Sequence, residues 1–190
     1  MMETLQILFA ASMGAWFLSE ILYKNILKSG QNDKKGKDQS TLNILWLAIP
    51  LSIASSVTVS YLIKFPISGE KWIYYAGVVL VWTGIILRFI IIRSLGKYFT
   101  VDVTIREHHK IKKEGFYKYV RHPSYAFSLL TSVGLGLYLN NLFSLILAFA
   151  IPFLAFSYRI TVEERTLIEQ FGEEYLEYRR KTRKLIPFIY

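Results

Sequence analysis

The sequence predicts an all-α integral membrane protein with five transmembrane helices, the last two a tight hairpin, followed by a C-terminal cytoplasmic amphipathic helix. Three observations carry that expectation. First, 53% of the 190 residues are hydrophobic and 19% charged, with a mean hydropathy of +0.31, whereas a soluble chain carries about 25% charged residues. Second, residues 5–27, 42–63 and 72–92 form apolar runs of more than 20 residues each, the length required by a hydrocarbon core of roughly 30 Å. Third, the bases alternate between loops. Segments 28–37, 93–121 and 159–184 hold four, eight and seven, while segment 64–71 holds two and the Asn140-Asn141 turn holds none.

That alternation is the signature of the positive-inside rule, and it assigns 19 of the 23 Lys and Arg residues to the cytoplasm. The net charge of +9 therefore serves topology, and nucleic acid is not expected as a partner. The first run is a span with its N-terminus outside: no basic segment precedes it, and Lys24 and Lys28 follow it, the reverse of a signal peptide. The absence of cysteine excludes a disulfide framework, a thiolate zinc site and thiol catalysis.

The elements follow in order. Residues 1–92 hold three spans, with a polar loop at 28–41. A connector at 93–121, punctuated by Gly96 and Gly115, is too polar to cross a bilayer. Segments 124–139 and 142–158 are short apolar helices separated only by Asn140-Asn141, which makes 122–158 a helical hairpin. In segment 161–181, Leu167, Ile168, Phe171, Tyr175 and Tyr178 recur at amphipathic spacing, and the unit 159–190 ends in an apolar tail. Residues 93–190 form the half that carries the chemistry.

Ionisable side chains inside spans are functional candidates. For Glu20, Lys24 and Arg88 the plainer expectation is that Lys24 and Arg88 snorkel to the interface, with Glu20 paired to Lys24 one turn away. Arg159 and Glu163 share a helical face, and Thr161 to Glu164 also fits a capping box, so a structural and a functional reading both stand. His108-His109 lacks a carboxylate at ligand spacing, and no metal is expected. His122 precedes Pro123 at the mouth of the hairpin, where an interfacial anchor and a binding motif are equally compatible with the residues.

Together these segments resemble a known family. Gly115-Phe116-Tyr117, Arg121-His122-Pro123-Ser124-Tyr125, Arg159-x-x-x-Glu163-Glu164, Leu167-Ile168, Phe171-Gly172-Glu173-Glu174-Tyr175-Leu176-Glu177-Tyr178 and Pro187-Phe188 stand in the order and spacing of the isoprenylcysteine carboxyl methyltransferases, over about half the chain. The resemblance is to the compact, five-span prokaryotic form. It implies a multi-pass cell-membrane enzyme whose cofactor is S-adenosyl-L-methionine and whose active site faces the cytoplasm. It places Asp102, His109, Lys110, Ile111, Lys112, Tyr117, His122, Pro123, Ser124, Tyr125 and Glu163 at the cofactor and Arg159 at the substrate, with Arg159 and Glu163 as the catalytic pair. The segment Lys112-Lys113-Glu114 is more polar than the family's pattern.

The chemistry has its own rationale. A carboxylate is already ionised at neutral pH, so methylating it needs alignment rather than a general base. The expected substrate is lipid-linked, such as a C-terminal prenylcysteine, entering from the bilayer, with membrane lipids as further partners. Three alternatives are a lipid amine headgroup as acceptor, a nicotinamide-dependent reductase resembling the sterol reductases, and a non-catalytic membrane binding module. The sterol reductases usually carry His-Asn where this chain has His122-Pro123. Gly77 and Gly84 lie on one face of the third span and permit close helix packing, within one chain or between chains.

Overall fold

The computed structural model describes residues 2–26, 34–35, 39–95, 104–105, 111–186 and 190. The described residues form α1 (Met2–Ile26), α2 (Gln39–Leu62), α3 (Trp72–Leu95), α4 (Pro123–Tyr138), α5 (Leu142–Phe171) and α6 (Glu173–Lys181). A two-residue antiparallel pair, β1 (Lys34–Lys35) and β2 (Thr104–Ile105), ties the loop after α1 to the connector after α3. A 3-10 turn, Gly115–Lys118, leads into α4. Of these helices, α1, α2, α3 and α5 are long and apolar enough to cross a membrane. At 16 residues, α4 is only about 24 Å long.

The packing is that of a membrane protein. Large apolar side chains such as Leu47, Tyr61, Val79 and Leu154 point outward, while Ser12, Ser52, Ser56, Thr131 and Ser144 are buried. Lipid is as apolar as leucine, so helices associate through small residues and hydroxyl hydrogen bonds instead. Helix α2 lies along α5, and α3 along α4. Pro152 inside α5 has no N–H to give the Ala148 carbonyl, and the Ser52 hydroxyl of α2 donates to that oxygen at 3.4 Å. One turn earlier, Ser144 Oγ donates to the Ser56 carbonyl at 2.7 Å.

Helices α3 and α4 touch through glycines. A Cβ on Gly77 would lie 2.5 Å from the Tyr138 nitrogen and 2.8 Å from the Gly134 oxygen, and one on Gly84 would lie 2.7 Å from the Phe127 oxygen. The glycine face is thus used within the chain. At the far end of the α4–α5 hairpin, Asn140 adopts φ 45° and its Oδ1 accepts from the Ile67 and Ser68 nitrogens at 3.1 Å. Asn141 caps α5 by accepting from the Ser144 nitrogen at 3.0 Å. The two asparagines therefore bind the α2–α3 loop to the hairpin turn, away from the candidate site.

Two details differ from expectation. The capping box at Thr161 starts no helix: α5 runs unbroken for 30 residues to Phe171, about 45 Å, and the break falls at Gly172, with φ 53°. Thr161 Oγ1 donates back to the Ser157 carbonyl at 2.9 Å, the mid-helix behaviour of a hydroxyl. Arg88, for its part, does not snorkel. It turns inward, with Nη2 donating to Glu20 Oε2 at 2.9 Å and Nη1 to Ser128 Oγ at 2.6 Å and the Ser124 carbonyl at 3.2 Å. The partial burial of both charges between α1, α3 and α4 makes the cross-helix pair favourable over separate solvation. The Lys24 side chain lies outside the described residues.

The glycine contact predicts that Gly77→Ala lowers stability by about 1–3 kcal/mol, the usual cost of overpacking. Gly69→Ala, where a Cβ meets nothing within 4 Å, is expected to match wild type. Equilibrium unfolding in mixed detergent micelles measures both; equal stabilities would refute the close contact.

Candidate active site

Three segments converge where α4 begins. The first is the hairpin mouth, in which His122 is the N-cap of α4 and Pro123 its first residue, the position where a missing N–H costs nothing. The second is the part of α5 beyond the fifth apolar run, which presents Arg159, Glu163 and Glu164 on successive turns. The third is the chain after α6. Arg121 N donates to the Arg183 carbonyl at 2.8 Å, Arg183 N to the Tyr119 carbonyl at 3.0 Å and His122 N to the Lys184 carbonyl at 3.0 Å. This parallel bridge clamps the tail to the segment that delivers Arg121 and His122.

Glu163 lies at the centre. Tyr125 Oη donates to its Oε1 at 2.5 Å, Arg159 Nε donates to the same oxygen at 3.2 Å, and His122 Nδ1 faces Oε2 at 3.3 Å. Arg159 is 2% exposed, which forces it to find partners. Its Nε also donates to Tyr125 Oη at 2.8 Å, and its Nη1 to Thr41 Oγ1 at 3.1 Å. The Tyr125 ring stacks on Phe156 at 4.8 Å, so the phenol cannot swing away without losing ring contact.

Glu164 forms a second tier. It accepts from Arg121 Nε at 2.7 Å, faces His122 Nε2 at 3.3 Å and pairs with Arg179 Nε at 3.5 Å. Arg121 Nη1 also reaches the Thr182 carbonyl at 2.5 Å and the Arg179 carbonyl at 3.1 Å. His122 thus bridges two carboxylates. Burial alone would lower its pKa, but the hydrogen bonds to Glu163 and Glu164 outweigh burial and leave it raised. The charged form, with both ring nitrogens donating, fits this geometry.

Of the residues expected at the site, His122, Pro123, Tyr125, Arg159 and Glu163 are brought together. Ser124 turns its carbonyl to Arg88. Tyr117 is buried nearby; its carbonyl accepts from Tyr178 Oη at 2.6 Å, and burial raises its own phenol pKa. Lys112 Nζ donates to the Ser94 carbonyl and lies 5.8 Å from the Tyr117 ring, while Ile111 is half-buried. Asp102, His109 and Lys110 lie outside the described residues. Sequence reasoning missed Thr41, Glu164 and Arg121 as site residues. Arg121 and Glu164 stand inside the recognised motifs and were legible there, but nothing local marks Thr41, which lies 118 positions from Arg159.

The donor set fits a sulfonium amino-acid cofactor, because the half-buried Glu163 carboxylate is suited to an ammonium. The raised His122 pKa carries a sign. Stabilisation by the imidazolium is full below the unfolded value of about 6.5 and is lost as pH rises through the folded value. The melting temperature of wild type should therefore exceed that of His122→Asn by more at pH 6 than at pH 9. A gap that is constant or widens with pH would contradict the charged bridge.

Comparison with known proteins agrees with this arrangement. Residues 77–169 match the family described as isoprenylcysteine carboxyl methyltransferase (ICMT). The chain is 34% identical over 161 residues to protein-S-isoprenylcysteine O-methyltransferase B of Arabidopsis thaliana, covering 81% of this chain and 82% of that protein. It is 38% identical over 115 residues to the protein-S-isoprenylcysteine O-methyltransferase of Saccharomyces cerevisiae, covering 60% of this chain and 48% of that one. Among solved structures, the eukaryotic intramembrane Ras methyltransferase ICMT superposes with a TM-score of 0.62 at 26% identity, over 76% of this chain and 52% of that one. The chain thus spans about half the length of that structure. With most of its length aligned to a named member and the motif residues gathered at one point, this protein belongs to the isoprenylcysteine carboxyl methyltransferase family.

Proposed function

We propose that this protein methylates the carboxylate of a lipid-linked acceptor, such as a C-terminal prenylcysteine, with S-adenosyl-L-methionine as methyl donor. The observation that carries this reading is the convergence of Tyr125, Arg159 and His122 on the half-buried carboxylate of Glu163. The relatives compared are O-methyltransferases by name, so the reductase and amine-acceptor alternatives are set aside. The cofactor supplies an activated methyl group; the protein supplies orientation and charge. In this reading Glu163 receives the cofactor's ammonium, and Tyr117, His122, Pro123, Ser124, Tyr125, Ile111 and Lys112 line its site, with Asp102, His109 and Lys110 adding contacts from the connector. Arg159 aligns the acceptor carboxylate, and Thr41 keeps that guanidinium in register. No side chain need remove a proton, since the acceptor is ionised at neutral pH.

The topology follows the same reading. Helix α4 counts as a fifth membrane-embedded helix, α6 as the cytoplasmic amphipathic helix, and residues 93–190 as the catalytic half beside the three-helix unit 1–92. The basic connector and tail put the site on the cytoplasmic face of the cell membrane, with the N-terminus outside. A lipid tail then reaches the site from the bilayer while the polar cofactor arrives from water.

Titration of detergent-purified protein with S-adenosylhomocysteine, together with a labelled-methyl assay on a farnesylcysteine analogue, tests the roles. Glu163→Ala should weaken S-adenosylhomocysteine binding by roughly 10–100-fold, the loss of a charge-assisted hydrogen bond. Arg159→Ala should keep that affinity within about threefold and lose turnover on the order of 100-fold, as misalignment does. Full activity in both variants would overturn the site assignment, and no binding of S-adenosylhomocysteine by wild type would overturn the function. Thr41→Val should cost roughly fivefold in turnover, one hydrogen bond's worth, and Thr41→Ser should restore it; a silent Thr41→Val would remove the positioning role.

A further inference from the structure

Outside the site, four cations line one small cleft. Lys118, Arg180, Lys181 and Arg183, with Tyr119, enclose about 230 Å³. They arrive from three places: Lys118 closes the 3-10 turn, Arg180 and Lys181 close α6, and Arg183 belongs to the bridge with Val120. All five are exposed. Their basic neighbours are spoken for, Arg179 by Glu164 and Lys113 by Glu174. None of the four has a carboxylate partner among the described residues.

Local structure explains only half of this. Cations in the last turn of a helix favour the macrodipole, which accounts for Arg180 and Lys181. It does not account for Lys118 and Arg183, which reach the same cleft from other segments. Like charges gathered without a counterion repel one another, and a bound anion converts that repulsion into attraction. The cleft is smaller than the roughly 300–1,000 Å³ of sites for drug-sized ligands, a scale that suits a phosphate-bearing headgroup better than a whole nucleoside cofactor.

Its position selects the source of that phosphate. The cleft is built on residues 118–119, a few positions before α4 begins at Pro123. Tyr119, 52% exposed, lines the cleft with Lys118 Nζ 5.9 Å from its ring, and Phe116, 45% exposed, lies on the same 3-10 turn as Lys118. Exposed aromatic rings next to basic side chains are the composition of a membrane interface, and such bases attract anionic headgroups within a Debye length. A free anion in water would have no use for the two rings. We infer that this cleft binds the phosphodiester headgroup of an anionic phospholipid, a contact separate from methyl transfer and independent of it.

Thermal-shift titration of the protein in neutral detergent tests this with three probes: short-chain phosphatidylglycerol, short-chain phosphatidylcholine and inorganic phosphate. Phosphatidylglycerol should raise the melting temperature saturably, and the other two should not at matched concentration. Each removed base should weaken that response roughly fivefold, so Lys118→Gln/Arg183→Gln shifts the midpoint about 25-fold, and Arg180→Gln/Lys181→Gln does the same from the helix side. Lys64→Gln/Lys71→Gln, which removes two bases from the α2–α3 loop, should leave the midpoint in place. An equal response to phosphatidylcholine, an equal response to phosphate, or cleft variants no different from the loop variant would each overturn the assignment.

Discussion

A carboxylate half withdrawn from water at a membrane boundary has to be surrounded before it can be tolerated, and Glu163 imposes that requirement on this molecule. Three side chains meet its demand: Tyr125 and His122 from the start of α4, and Arg159 one turn back on α5. Arg159 is itself buried and draws in a fourth, because its second nitrogen needs the Thr41 hydroxyl of α2. Removing one partner from such a cluster leaves a stranded charge, at a typical cost of about 3–5 kcal/mol. The cluster therefore ties the helices together as strongly as it shapes a binding site.

The second tier works outward from the first. His122 passes the electrostatic link from Glu163 to Glu164, and Glu164 passes it to Arg121 and Arg179. Arg121 then grips the carbonyls of Arg179 and Thr182, while main-chain hydrogen bonds hold the tail alongside. The short helix α6 and the chain that follows it are thereby fastened to the membrane helices. In the opposite direction, Ser124 reaches Arg88, and through it Glu20 on α1. Every helix except the outer turns of α6 thus has a polar connection leading to the hairpin mouth.

Lipid-facing helices get no hydrophobic drive toward one another, so these polar connections depend on close backbone approach. Gly77, Gly84 and Gly134 let α3 and α4 come together, and hydroxyls of α2 and α5 meet each other's carbonyls. The Asn140-Asn141 turn closes the other end. Both ends of the hairpin are thus anchored.

Much of this was legible in the sequence. Length and apolarity of the runs place the membrane helices, since hydrocarbon thickness sets a minimum span whatever the neighbours are. The two asparagines mark the hairpin turn, and the family resemblance points to His122, Arg159 and Glu163 at its other end. Where sequence reading stopped, the deciding contacts were between distant residues. Thr161 looks like a cap, yet its hydroxyl finds Ser157 and the helix runs on. Arg88 and Glu20 look like separate interfacial charges, but lie 68 positions apart in one half-buried pair. Thr41 carries no signal of its own. Periodicity and composition are properties of a segment and can be read along the chain, whereas the partner of a buried charge is set by which helix lies across from it, and only the packed structure decides that.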